Sequence, residues 1–229
     1  MSLSAEDFAA IGLSLRVAGA ATLVDLPIAL AAAYALTRSR FATRVALDAL
    51  ITLPLVLPPV ATGFLLLVLF GRNGPVGGWL ASVGVVLAFH WTGAALAAGV
   101  MALPLMVRPI RLAMEAIEPT VDEAGLTLGA AAPVRFWRLT LPLALPGVVA
   151  GLALAFAKAL GEFGATITFV GAIPGETLTL PAAIYQATQV PGEENHALML
   201  CGVSASIAVV AVLISEIVSR RVAERQRRT

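Results

Sequence analysis

The sequence predicts an all-α polytopic membrane protein: a single transmembrane domain over residues 1–229 with about five transmembrane helices. Three observations carry that prediction. Of the 229 residues, 59% are apolar and 13% charged, and the mean hydropathy is +0.92. A water-soluble domain cannot hide that much apolar surface, whereas a bilayer accepts it once every backbone group is satisfied inside a helix. Five apolar stretches, about 10–36, 46–70, 79–107, 143–163 and 196–218, each suffice to cross about 30 Å of hydrocarbon at about 1.5 Å per residue. The arginines alternate between connections. Arg38, Arg40 and Arg44 follow the first stretch, Arg108, Arg111, Arg135 and Arg138 the third, and Arg220, Arg221, Arg225, Arg227 and Arg228 the fifth, twelve in all, against Arg72 alone in the other two connections. The positive-inside rule then places the N-terminus outside and the C-terminus in the cytoplasm.

The first stretch begins after Glu6 and Asp7 with no basic segment before it, so "ALAAAYAL" reads as helix packing and no signal cleavage is expected. Arg16 lies near its outer end, where it can snorkel. Asp25 lies near its centre and requires a partner or a wet surface, either an inter-helix pair or the transport pathway. In the second stretch Pro54, Pro58 and Pro59 interrupt the hydrogen-bond ladder and predict a kink, which suits a gate or a fixed bend. His90, beside Trp91 in the third, reads as a hydrogen-bonded packing residue. Lys158 and Glu162, four apart near the outer end of the fourth, share a helix face as pathway lining or as a structural ion pair. Thr166 and Thr168 follow among small residues in "GEFGATITF", a candidate anion-facing segment. The connection "GAIPGETLTLPAAIYQATQVPGEEN" carries Glu176, Glu193 and Glu194, faces outward, and fits a re-entrant gate or a docking surface. Cys201 is the single cysteine, so no internal disulfide and no cysteine metal site is expected.

The connection over 108–142 is far longer than the two to eight residues that joining two helices requires. Pro119 can open one short helix in "TVDEAGLTLGAAA" and Pro133 a second in "PVRFWRL". The run Glu123-Ala124-Gly125, three residues, Gly129, nine residues, Leu139, one residue, Leu141-Pro142 resembles the EAA loop of ABC importer permeases in residue types and spacing. It departs in having Gly125 where that family usually has alanine and Leu139 where it usually has isoleucine. The resemblance implies a type I ABC importer permease fold, with residues 120–142 as the coupling segment that docks on an ATP-hydrolysing subunit. The chain has no G-x-x-x-x-G-K-[ST] motif, and Lys158 is its single lysine. Nucleotide binding by the P-loop route is therefore excluded, and the chain is expected to be a transport subunit rather than an enzyme. ATP and Mg belong to the partner ATPase, and no cofactor or metal is expected on this chain.

Four further stretches, "LPLVLPPVATGFLLLVLFGRNG", "VMALPLMVRPIRLAME", "ALGEFGATITFVGAIPGETLTLPAAIYQ" and "LISE", resemble the molybdate branch of these permeases. That implies translocation of molybdate, and of tungstate with the same charge and nearly the same size. The implied partners are a second copy of the chain, two ATP-binding subunits, an external oxyanion-binding protein and membrane lipid, with no nucleic acid. The implied location is the cytoplasmic (inner) membrane of a bacterium or archaeon. Sulfate permeases share the "GEFG" theme and remain an alternative. A proton-coupled secondary transporter would use intramembrane acids such as Asp25 and Glu162, but has no use for the 120–142 pattern.

Overall fold

In the computed structural model residues 3–226 are described, and every described element is helical. Arg227 and Arg228 of the basic tail lie outside the described residues. Helix α1 (Ala5–Arg38) opens on a capping box: Ser4 Oγ accepts from the Asp7 amide and Asp7 Oδ2 from the Ser4 amide at 2.7 Å. Helices α2 (Phe41–Val56) and α3 (Pro59–Phe70) form one broken element bent by 109°. The cause is local. Leu57 and Pro58 each precede a proline and are extended, with ψ of 144° and 133°, the conformation that proline imposes on its predecessor. The second apolar stretch, expected as one kinked span over 46–70, is thus an elbow at 57–58.

A short α4 (Pro75–Ser82) precedes α5 (Trp91–Glu115). The apolar stretch expected as the third span, 79–107, comprises the end of α4, a turn and most of α5. Residues 83–90 turn through Gly84 and Phe89, both at positive φ, and the long helix starts only at Trp91. It continues past 107 because Arg108, Arg111 and Glu115 extend the same helix beyond its apolar part; hydropathy reports the apolar length, not the helix end. Then come α6 (Pro119–Thr127), α7 (Ala132–Arg135), a π-turn (Phe136–Thr140) and α8 (Leu141–Leu160), the last three forming a continuous 29-residue helix. Helices α9 (Gly164–Val170), α10 (Leu180–Thr188) and α11 (Glu194–Gln226) complete the chain. Among the described residues four helices are long and apolar enough to cross a membrane, or five if the bent α2–α3 pair is one span.

Helix α5 is central and packs most extensively against α8 and α1. Small residues permit the approach. Ala18, Ala29, Ala33, Ala94, Ala97, Ala98 and Ala102 are wholly buried, and a Cβ on Gly147 would lie 2.4 Å from Ala113 Cβ and 2.6 Å from Pro109 O. Many large apolar side chains point outward, Leu23, Val24, Phe64 and Leu198 among them. This inversion of the soluble pattern is what lipid contact requires. On one end of the molecule His196 at the start of α11 bonds Asp7 of α1 at 3.0 Å, and the Leu180 amide of α10 donates to buried Ser14 of α1 at 2.6 Å.

Candidate functional site

The segment 119–142 folds as a small unit whose motif residues meet. Pro119 occupies the first turn of α6, where its missing N–H costs nothing. The helix stops at Gly129, φ +74°. There the Ala130 amide donates to Gly125 O at 3.0 Å and the Gly129 amide to Leu126 O at 2.9 Å. This is the Schellman bond pattern, which favours glycine at its left-handed position. The chain returns through α7, and Gly125 lies buried beneath Arg135 and Leu139: a Cβ there would be 2.9 Å from Arg135 Cδ and 3.0 Å from Leu139 Cδ1. The glycine in place of alanine thus accommodates the Arg135 stem, and the 125/129/139 spacing is that of a helix, a glycine stop and a returning helix.

The π-turn precedes Pro142, where the Leu141 amide bonds Phe136 O. One residue of extra register here suits a proline that can neither donate nor tolerate the carbonyl four residues back.

A charged clamp fixes this unit. Asp122 Oδ1 accepts from Arg135 Nε and Oδ2 from Arg38 Nη1, each at 2.9 Å, while Arg135 Nη1 donates to Ala130 O at 2.9 Å. The hydrogen bond from Arg38 holds the Asp122 carboxyl below the usual aspartate range. A lowered pKa means that the clamp's contribution is present above the ordinary aspartate value and disappears only as pH falls through the lowered one. It is therefore fully formed at neutral pH. A second network joins α2 to the end of α5: Arg111 bonds Asp48 at 3.1 Å and Glu115 at 2.9 Å, and Arg44 also bonds Glu115. Glu123 and Ala124 are exposed, as are Leu126, Leu128, Val134 and Trp137. Leu128 is 86% exposed. A cavity of about 370 Å³ opens between this unit and the ends of α1 and α5, lined by Arg38, Glu115, Asp122 and Glu123 among others.

The other sequence candidates fall in two places. Lys158 pairs with Glu162, whose side chain is almost wholly buried and whose Oε1 accepts from the Ala165 amide at 3.0 Å, capping α9. Thr166 and Thr168 donate to Phe163 O and Gly164 O of their own segment at 2.9 and 2.8 Å. Helix α9 packs on α3 just past the elbow: a Cβ on Gly63 would lie 2.5 Å from Ala165 O, and one on Gly164 2.7 Å from Pro59 Cβ. Glu162, Thr166, Thr168 and Pro59 are thus brought together, with Pro58 in the bend and Pro54 before it in α2. Asp25 instead packs against Gly99 of α5, and its Oδ2 is buried without a hydrogen-bond partner among the described residues. His90, expected within a span, caps the start of α5 and approaches Glu176 at 3.3 Å. Arg16 stacks over Trp91, 3.7 Å from the ring centroid.

Nothing in the sequence marks Arg38, Asp122 and Arg135 as a group. Arg38 and Asp122 are separated by 84 residues, so no local spacing announces them.

The family model for the inner membrane component of binding-protein-dependent transport systems matches residues 25–227. The chain belongs to this family. The permease is therefore a multi-pass inner-membrane protein and a transport component. It is 49% identical over 226 residues to the molybdenum transport system permease protein ModB of Escherichia coli strain K12, covering 98% of this chain and 99% of that one. It is 48% identical to the ModB protein of Haemophilus influenzae, with 94% of each chain covered. Identity to the sulfate transport system permease protein CysW of Synechocystis is 34%, over 87% of this permease and 73% of the relative. The fold is shared with a bacterial ABC transporter that imports the acidic polysaccharide alginate, at a TM-score of 0.76 and 20% identity, covering 96% of this chain and 80% of that one.

Proposed function

We propose that this permease forms, with a second copy of itself, the membrane passage of an ATP-driven importer for molybdate and tungstate. Two separate ATPase subunits bind beneath it and use ATP and Mg; an external oxyanion-binding protein delivers the solute from the opposite side. The observation that carries the solute assignment is the 49% identity to a molybdenum permease along nearly the whole of both chains, against 34% to a sulfate permease. A tetrahedral dianion is too strongly hydrated to cross hydrocarbon, so it passes between helices. Residues 119–142 supply the ATPase contact, with Glu123, Leu126 and Leu128 outward and Gly125, Gly129 and Leu139 shaping the turn. As the ATPase subunits close on ATP, this unit moves with them as a body, because its glycine stop and Asp122 clamp leave it little internal freedom. The elbow at Pro54–Pro59 and the α9 segment against it form the moving part of the passage. Glu162, engaged by Lys158 and by the start of α9, acts there as a fixed structural group.

Proteoliposomes containing the complete assembly test the solute: ATP-dependent uptake of molybdate and tungstate is expected, and uptake of sulfate with neither of them overturns the assignment. Orientation is tested separately. With Cys201 replaced by alanine, a cysteine at Glu193 should react with an impermeant maleimide in intact cells, and one at Ala130 only after permeabilisation. Labelling of position 130 in intact cells reverses the topology.

A further inference from the structure

The 119–142 unit is covalently joined to α5 and α8, yet both of its halves also hold the end of α1. Arg38, the last residue of α1, bonds Asp122 of α6. One turn earlier Tyr34 meets Phe136 of the π-turn edge-on, ring centroids 5.1 Å apart, and Arg38 lies over the Tyr34 ring at 5.5 Å. Helices α1 and α6 have little other contact, so the Arg38–Asp122 bond is the principal tie between them. At the opposite end of the same 34-residue helix, Asp7 holds His196 of α11.

We infer that Arg38 and Asp122 form a joint through which displacement of the coupling unit is passed to α1 as well as to its two covalently attached helices. The inference rests on the coupling role proposed above for residues 119–142. Asp122 is a positioning residue: one oxygen holds the unit together through Arg135, and the other fastens it to α1. The pair is half exposed at Arg38. Such pairs contribute little to folding stability, and what they supply is a fixed direction of contact. Loss of the arginine therefore leaves the permease folded, with α1 still packed on α5 and α8, but lets the Tyr34–Arg38 end of α1 lag behind α6.

The test uses the complete reconstituted importer and reads molybdate imported per ATP hydrolysed. Arg38→Met keeps an unbranched stem over Tyr34 and leaves Asp122–Arg135 intact. The expected result is a fall of at least about five-fold in that ratio, the lower end of ordinary coupling energies, with the ATPase subunits still co-purifying and with Arg38→Lys restoring at least half of the loss. An unchanged ratio overturns the joint. So does loss of the ATPase subunits, because Arg38 then serves docking rather than transmission, and so does failure of lysine to restore coupling. Leu128→Asp on the outward face is run in parallel: if that variant retains both its ATPase subunits and a normal ratio, the coupling assignment of 119–142 itself fails, whatever Arg38→Met does.

Discussion

Replacing Leu128 by aspartate is expected to strip the ATPase subunits from the purified complex and to abolish ATP-dependent uptake, while the permease still inserts and folds. Leu128 is 86% exposed at the tip of the 119–142 unit, beside Leu126 at 54%, and its backbone only closes the end of α6. Its removal therefore costs the permease nothing in packing. In an interface the side chain contributes about 2 kcal/mol when buried, and a carboxylate desolvated in its place adds a further penalty. Even about 2.8 kcal/mol at each contact weakens binding about a hundred-fold. Glu123→Ala should act in the same direction but less, because an exposed carboxylate contributes less than a buried apolar anchor. Size-exclusion chromatography of the detergent-solubilised complex, followed by ATPase assay, reads both. Stoichiometric retention of the ATPase subunits by the Leu128→Asp variant contradicts the assignment of this face.

The second large effect lies in the membrane. Gly147→Leu is expected to prevent accumulation of folded permease, and Gly147→Ala to lower its thermal midpoint substantially. A Cβ at 147 falls 2.4 Å from Ala113 Cβ and 2.6 Å from a backbone oxygen of α5. Neither neighbour is the free end of a flexible side chain, so α5 and α8 must separate. Overpacking of a close-packed interface costs about 1–3 kcal/mol for small additions, and here the added atom meets backbone at the most extensive helix contact in the molecule. Gly19 in α1 is the matched control, since a Cβ there meets nothing within 4 Å. Alanine at 19 should be neutral or slightly stabilising, by up to about 1 kcal/mol, because glycine is the poorer helix former. Thermal unfolding of fluorescently tagged variants in detergent separates the two; equal midpoints for Gly147→Ala and the parent would contradict the packing described.

Much of this fold is written in the sequence as composition and punctuation. The apolar length of α1, α8 and α11 is visible directly, and Pro58-Pro59 marks the elbow because proline acts on its immediate neighbours. The 123–142 motif announces a helix, a stop at Gly129 and a return. What spacing does not reveal are contacts between distant segments. Arg38 with Asp122, and Arg111 with Asp48, are brought together by helix packing, 84 and 63 residues apart. The apolar run "VGVVLAFHW" points to His90 within a span, but Gly84 and the positive φ of Phe89 delay the helix and leave His90 as its cap. Asp25, near the middle of an apolar stretch, requires a partner or a wet surface; among the described residues its carboxylate meets Gly99 and no hydrogen-bond donor for Oδ2.

In the mechanism proposed above, ATP hydrolysis by separate subunits drives an oxyanion through this permease by way of residues 119–142. The decisive assay is radiolabelled molybdate uptake into proteoliposomes holding the permease, its ATPase subunits and its binding protein, with the proton gradient collapsed. Uptake is expected to require ATP, to survive loss of the proton gradient and to disappear with Leu128→Asp. Uptake that continues without the ATPase subunits and stops when the proton gradient is removed would contradict that mechanism.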